Sequence, residues 1–324
     1  MFFANFCLRL NGGKFPARRL RFDLAASIWL KLLAPTLTNN MVTPLDRRTV
    51  LGISFINAPA LQVVEAGLSG GLVVVPSAPV LVDMVERSAL REALRGADMA
   101  ITDSGLMVLL WWLLKREKLE RVSGLEYLKL LLERLKTTGD HRQKTTGERA
   151  IFWVMPTVAA QDRNLTWLKA QGFLVTEKDC YVAPMYPAEG PLADENLLGL
   201  IVERRPAHVI LALGGGVQER LGWFLRQELE KAKGPAAPLF SSKNPKYVLK
   251  PASSSAVPSI HCIGAAIGFL SGEQVGIPMW VDYLYLGWLW RLGSSPRRFA
   301  PRYWKAVRLV QLMARYREKT PTAE

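Results

Sequence analysis

A chain of 324 residues with 49% apolar and 22% charged positions is long enough for a full α/β core and too apolar for a disordered protein. Its formal charge of +14 is unevenly placed, +5 in residues 1–40 and +7 in residues 291–324, so the body between them is nearly neutral. Three cysteines, Cys7, Cys180 and Cys262, without a CxxC pair, argue against a disulfide framework and a zinc site and fit reduced core thiols.

Residues 1–40 combine Arg18, Arg19 and Arg21 with an apolar patch, Leu24 to Leu33, that Ser27 and Lys31 interrupt too soon for a signal peptide. An interfacial segment, a disordered arm and a stretch upstream of the true start at Met41 stay open, the last two preferred. No other window holds ~18 uninterrupted apolar residues, so an integral membrane protein is not expected.

From there a strand is expected over Val50 to Phe55, a helix over Ala58 to Gly67, a strand over Leu72 to Val75, and one helix through PSAPVLVDMVERSALREAL. Met99 to Thr102 reads as a buried strand and Leu106 to Leu114 as a buried helix with Trp111 and Trp112 in the core. Asp103 then stands in a strand-to-helix turn, where open α/β sheets place their ligand crevice. It is either a helix N-cap beside Ser104 or a carboxylate facing a cleft, and spacing alone favours the cap, because caps are far commoner than bases.

A helix follows from about Arg121, then a polar linker, Thr137 to Arg149, taken as a boundary between two sub-lobes. AIFWVMP is a buried strand, with a helix at Leu165 to Gln171, a strand at Phe173 to Val175 and a helix at Asn196 to Arg204 after it. The strand His208 to Leu213 runs through Gly214, Gly215 and Gly216 into a helix at Gln218, a turn whose amides suit a diphosphate or a sugar. His208 reads as structural, and His141 and His261 lack metal-ligand spacing. Residues 233–258 look like an insertion, Ile260 to Ile263 like the last strand, and Gly264 to Gly272 like a turn into helix. The alternation implies an α/β, parallel-sheet, Rossmann-like architecture. Beyond it, Trp288 to Arg317 interleaves aromatic and basic residues, which suits an anionic bilayer or nucleic acid, although no nucleic-acid module is recognisable.

Three blocks carry a resemblance. ADMAITDSGLMVLLWWLL followed by ERVSGLEYLKLL is similar to the ADLVLPDGxGVVWAA and ERVTGxDL hallmark of the WecG/TagA/CpsF glycosyltransferases. HVILALGGGVQERLGWFL resembles that family's DIVFVALGxPKQExW, with Gly214, Gln218 and Glu219 in matching places. IGAAIGFLSG and GWLWRLGSSPRRFAPRYW are similar to VGGTFDFLAG and EWLYRLxxEPRRxxRRY, so the likeness spans about Asp46 to Arg308 in the right order.

The resemblance implies transfer of a sugar, with inversion and without a required metal or other cofactor, from a UDP-sugar to a polyprenyl-diphosphate-linked saccharide at the inner face of a membrane. Asp103 is then the base or a stabiliser of positive charge at the sugar carbon. Ser77, Arg121, Gly214 and Gln218 bind substrate, and Arg291, Arg297 and Arg302 reach the donor diphosphate. It implies a core over 41–275 and a basic aromatic, helical, membrane-docking appendage over 276–324, with no nucleic-acid partner. Departures put activity in doubt: Ala78, Gly268, Gly276 and Gly287 stand where the family carries Asn, Asp, Arg and Glu, and PTVAA replaces a glycine-rich turn. A non-catalytic descendant that binds a nucleotide-sugar or a partner enzyme is the second expectation.

Overall fold

In the computed structural model, residues 45–137, 151–232, 257–272 and 307–321, with Gly293, are described. Eight short strands form one sheet in the order β1-β2-β4-β3-β8-β7-β5-β6, in which only the β1–β2 pair is antiparallel. The strands are β1 (Arg47–Val50), β2 (Ile53–Ile56), β3 (Gly71–Val74), β4 (Met99–Ala100), β5 (Ile151–Met155), β6 (Cys180–Val182), β7 (His208–Leu211) and β8 (Ser259–Cys262). Between them run α1 (Ala60–Leu68), α2 (Ala78–Asp83), α3 (Ser88–Gly96), α4 (Gly105–Lys115), α5 (Gly124–Thr137), α6 (Val158–Ala170), α7 (Glu195–Arg204), α8 (Val217–Lys231) and α9 (Ala266–Leu270), and α10 follows over 307–316.

Side chains alternate across a strand, so a parallel sheet covered on both faces needs apolar residues at every position. Val73, Trp153 and Ile210 point into a core closed by α1, α5, α6 and α9. Leu72, Val74, Val154 and Leu211 point into the other, closed by α2, α3, α4, α7, α8 and α10. The result is the expected α/β layering with helices on both sides of a mostly parallel sheet. No helix among the described residues is long and apolar enough to cross a membrane.

Four elements differ from the sequence expectation. Val50 to Phe55 is a hairpin, because Leu51 and Gly52 take positive φ and turn the chain between β1 and β2. Gly52 has a second reason to be glycine, since an added Cβ would lie 2.2 Å from Thr320 Oγ1. The long helix after Pro76 is two, α2 and α3, and the carbonyls of Met84 and Val85 freed at the break accept from Arg91 Nη1. Phe173 to Val175 is a loop in which Phe173 and Val175 are buried and Leu174 exposed, which imitates strand alternation; the strand there is β6, a few residues later.

The fourth difference is in α4. Trp111 is 2% exposed, as expected of a core residue, but Trp112 is 49% exposed, with Leu109 and Leu113 beside it at 58% and 55%. A helix apolar on all sides can bury only one face against the sheet, and three half-solvated side chains of this size forgo roughly 1 kcal/mol each. At the chain's end, α10 packs Leu309, Leu312 and Met313 into the same core as α4, and the turn after it accepts the amides of Leu51 and Gly52. Residues 138–150, 233–256 and 273–292, which hold the polar linker, the insertion and the start of the appendage, lie outside the described residues.

Candidate active site

Registry assembles the site. Ala100 pairs with Val74, Val74 with Cys262, Cys262 with Leu211, and Leu211 with Val154, so these residues stand abreast on adjacent parallel strands. Three positions further along each chain come Asp103, Ser77, Ala265, Gly214 and Thr157, all at the carboxyl edge of the sheet. The halves of the sheet meet where β3 lies against β8, with the chain leaving β3 towards β4 on one side and reaching β8 from β7 on the other. Such a divergence is where open α/β sheets place a ligand crevice, and Asp103, Ser77 and Gly214 stand at that edge of the sheet.

The turn after β4 is tight, with the Asp103 N–H donating to the Ile101 carbonyl at 3.0 Å. Local capping of α4 falls to Ser104, whose hydroxyl accepts from the Met107 amide at 3.2 Å. Asp103 instead reaches across to another helix: its Oδ1 accepts the Gly124 amide at the start of α5 at 2.9 Å. Arg121 Nε donates to the Asp103 carbonyl at 3.2 Å, which places a guanidinium beside the carboxylate. The loop carrying Arg121 is pinned by the Thr102 hydroxyl, donating to the Glu120 carbonyl, and by Asn57 Oδ1, accepting the Glu120 amide at 2.8 Å. A Cβ on Gly124 would lie 3.2 Å from Val75 Cγ1, 3.7 Å from the Ile263 carbonyl and 3.9 Å from Asp103 Oδ1, so Gly124 sits where the ends of β3, β8 and β4 converge.

Gln218 is placed differently from its expected role in holding a sugar. It is 2% exposed and turned inward, its Oε1 accepting the Gly264 amide at 2.7 Å and its Nε2 donating to Glu219 Oε1 at 3.1 Å. The oxygen end ties the start of α8 to the loop after β8, and the nitrogen end is held by the neighbouring Glu219. The glycine-rich turn is likewise partly committed: Gly216, at φ +89, donates its N–H to Glu219 Oε2 at 2.5 Å rather than outward. Gly214 is exposed, with open space where a side chain would stand. Ser77 precedes α2 without bonding its first turn, and Pro76 beside it is buried. Arg291, Arg297 and Arg302 lie outside the described residues.

Two residues here had no role in the sequence reading. Glu219 is fully buried, and burial raises its carboxyl above the usual range against the opposing bonds from Gln218 and Gly216. Its position three residues after Gly216 is half of a capping box, the one signal that could have found it. Arg220 donates to the carbonyls of Gly216, Gly190 and Pro187, clasping the loop before α7 onto the start of α8; burial and the nearby Arg87 lower its pKa. Two of its three partners are carbonyls thirty or more residues away, so no sequence pattern announces it.

Groups elsewhere in the described residues are structural. His261 bonds the Tyr127 hydroxyl at 2.9 Å and faces His208 at 3.4 Å, all three buried below the carboxyl edge; burial, then His208, holds the His261 pKa well below the ordinary value. Cys262 is buried and Cys180 partly so. An open cavity of about 330 Å³ between α3 and α8, lined by Arg91, Glu92, Arg95 and Trp223 among others, flanks the sheet rather than its carboxyl edge. No group of three or more His, Cys, Asp or Glu side chains suited to a metal ion occurs among the described residues.

The carboxyl edge of the sheet carries a carboxylate, a guanidinium, a hydroxyl and an open glycine backbone, groups that suit a polar ligand with hydroxyl and anionic groups. Comparison with curated proteins finds no match. The model of the glycosyl transferase WecG/TagA/CpsF family matches residues 48–237 and 244–323, nearly the whole described body and each of the blocks above. With that span and this site, the chain belongs to the WecG/TagA/CpsF family of glycosyltransferases.

Proposed function

We propose that this glycosyltransferase moves a hexose from a UDP-sugar to a polyprenyl-diphosphate-linked saccharide in cell-surface polysaccharide synthesis, working at the inner face of the bacterial plasma membrane. The observation that carries the proposal is the Asp103 carboxylate, bonded at 2.9 Å to the first amide of α5, with Arg121 on its own carbonyl. A carboxylate offers about four acceptor sites, so the bond to Gly124 is compatible with taking a proton from a sugar hydroxyl.

In the step itself the acceptor hydroxyl gives its proton to Asp103 while its oxygen bonds the anomeric carbon. The bond from that carbon to the UDP oxygen breaks on the opposite face, and UDP leaves with the electron pair, which inverts the carbon. Arg121 supplies positive charge to the departing diphosphate, joined by Arg291, Arg297 and Arg302 of the basic tail. Ser77 and the Gly214 backbone offer polar contacts to the donor, and Gln218 acts as a positioning residue by holding the Gly264 loop. The test is UDP release from a panel of UDP-sugars with a polyprenyl-diphosphate-linked acceptor. Turnover by the wild type that is lost in Asp103→Asn is the expected result; turnover unchanged in the variant removes Asp103 from the chemical step.

The second reading, a non-catalytic descendant, is favoured by one observation. Gly268 stands where the family carries Asp and is buried inside α9, so this chain has no carboxylate at that position. Calorimetric binding of a UDP-sugar without turnover in any acceptor assay would select this reading.

A further inference from the structure

Among the described residues no element covers the outer face of α4: Leu109, Trp112 and Leu113, at positions i, i+3 and i+4, form one stripe and are each about half exposed. The end of the stripe is basic. Arg116, one turn further on, lays its guanidinium over the Trp112 ring at 5.0 Å and has no carboxylate partner among the described residues. Helix α10 and the turn after it, tied to the end of α4 by the Lys115–Glu318 ion pair, add Arg315, Arg317 and Arg308, the last paired with Glu86, and expose Val307 and Val310. Across the two segments, 105–120 and 307–321, seven cations face three acids.

We propose that this face of α4 rests on an anionic bilayer, with Leu109, Trp112 and Leu113 in the headgroup and upper acyl region and Arg116 on lipid phosphate. Leucine below, an indole at the boundary and a cation stacked on that indole is the arrangement an interfacial helix presents to lipid. A protein partner of ordinary interface composition would not call for the surplus of positive charge around an otherwise acid-free helix face. The proposal rests on the reading that the acceptor is lipid-borne and adds where the lipid surface lies. Helix α4 starts two residues after Asp103, so by helical rise Leu109 and Trp112 stand about 6 and 10 Å along its axis from the site. A bilayer against this face brings a membrane-anchored sugar to the crevice without leaving the interface.

The test is co-sedimentation of the full chain with sucrose-loaded vesicles of phosphatidylcholine alone and of phosphatidylcholine with phosphatidylglycerol. Binding should require the anionic lipid. The triple variant Leu109→Ser, Trp112→Ser, Leu113→Ser should lower the partition coefficient about tenfold or more. Arg116→Gln should weaken binding only to the anionic vesicles, and Leu174→Ser, which removes an exposed leucine elsewhere, should leave it unchanged. Three results overturn the proposal: no vesicle binding by the wild type; equal binding by the triple variant; or a lipid-free dimer of the wild type that the triple variant dissolves in sedimentation velocity, which would make a second copy the occupant. Lost vesicle binding in the triple variant without sugar transfer by the wild type leaves the docking face standing and removes the transferase reading. Transfer to a water-soluble acceptor analogue by both, with equal vesicle binding, does the reverse.

Discussion

Asp103 and Gly124, twenty-one residues apart in the chain, are joined by a 2.9 Å bond from the Gly124 amide to the Asp103 carboxylate, so the acid at the carboxyl edge of the sheet also caps the start of α5. The cap and the base of the sequence reading are therefore not exclusive: Ser104 caps the local helix, and Asp103 caps the distant one. The helix start also supplies an amide donor and the positive end of a dipole to the carboxylate.

Asp103→Asn separates the two roles. Asparagine keeps an oxygen for Gly124, so urea unfolding should show a loss of about 1 kcal/mol or less. Sugar transfer should fall about 10²- to 10⁴-fold, because an amide does not accept the acceptor's proton. Asp103→Ala should lose both, and equal stability losses in the two variants would refute the cap.

Gln218→Met tests the inward placement. Methionine fills a similar volume but leaves the Gly264 amide and one Glu219 oxygen without their partner, at about 1–3 kcal/mol. If Gln218 positions the loop rather than holding the sugar, kcat and KM should both worsen with every donor tried. A loss confined to one sugar would instead identify a direct contact.

These two residues also mark how far the sequence could be read. Short buried strands ending in polar or glycine turns identify the carboxyl edge, because a parallel sheet aligns equivalent turns; Asp103, Ser77 and Gly214 were legible for that reason. Gln218 was legible at the turn after β7 but not in the direction its side chain takes, since its partner Gly264 lies forty-six residues away and only the fold brings them together. Trp112 was misassigned because an all-apolar helix carries no periodicity to say which face the sheet will take. The β1–β2 turn was missed because Leu51, a residue without turn propensity, takes the left-handed conformation there.

Gly67 of α1 lies against Tyr127 of α5, and an added Cβ would stand 2.2 Å from the Tyr127 hydroxyl oxygen. Gly67→Ala should displace the ring, weaken its bond to His261, and cost about 1–3 kcal/mol despite alanine's better helix propensity. In a Tyr127→Phe background the clashing oxygen is gone and the same change should cost less. A double-mutant cycle by chemical unfolding reads the coupling, and strict additivity would show that the two helices adjust independently.

Glu219 should leave a pH signature of its own. Burial raises its folded pKa above the unfolded 4.5, so between those two values the folded state holds a proton that the unfolded state has released. Stability from this group is therefore complete below pH 4.5 and is lost as pH rises through the folded pKa, at up to about 1.4 kcal/mol per pH unit. Glu219→Gln keeps an acceptor for the Gly216 amide and removes the titration. Its stability relative to the wild type should improve in urea unfolding as pH rises above 4.5 and level off once the pH passes the folded pKa. A difference that stays flat over that range, or that shrinks with rising pH, would mean that the bonds from Gly216 and Gln218 and the charge of Arg220 outweigh burial and keep Glu219 ionised in its pocket.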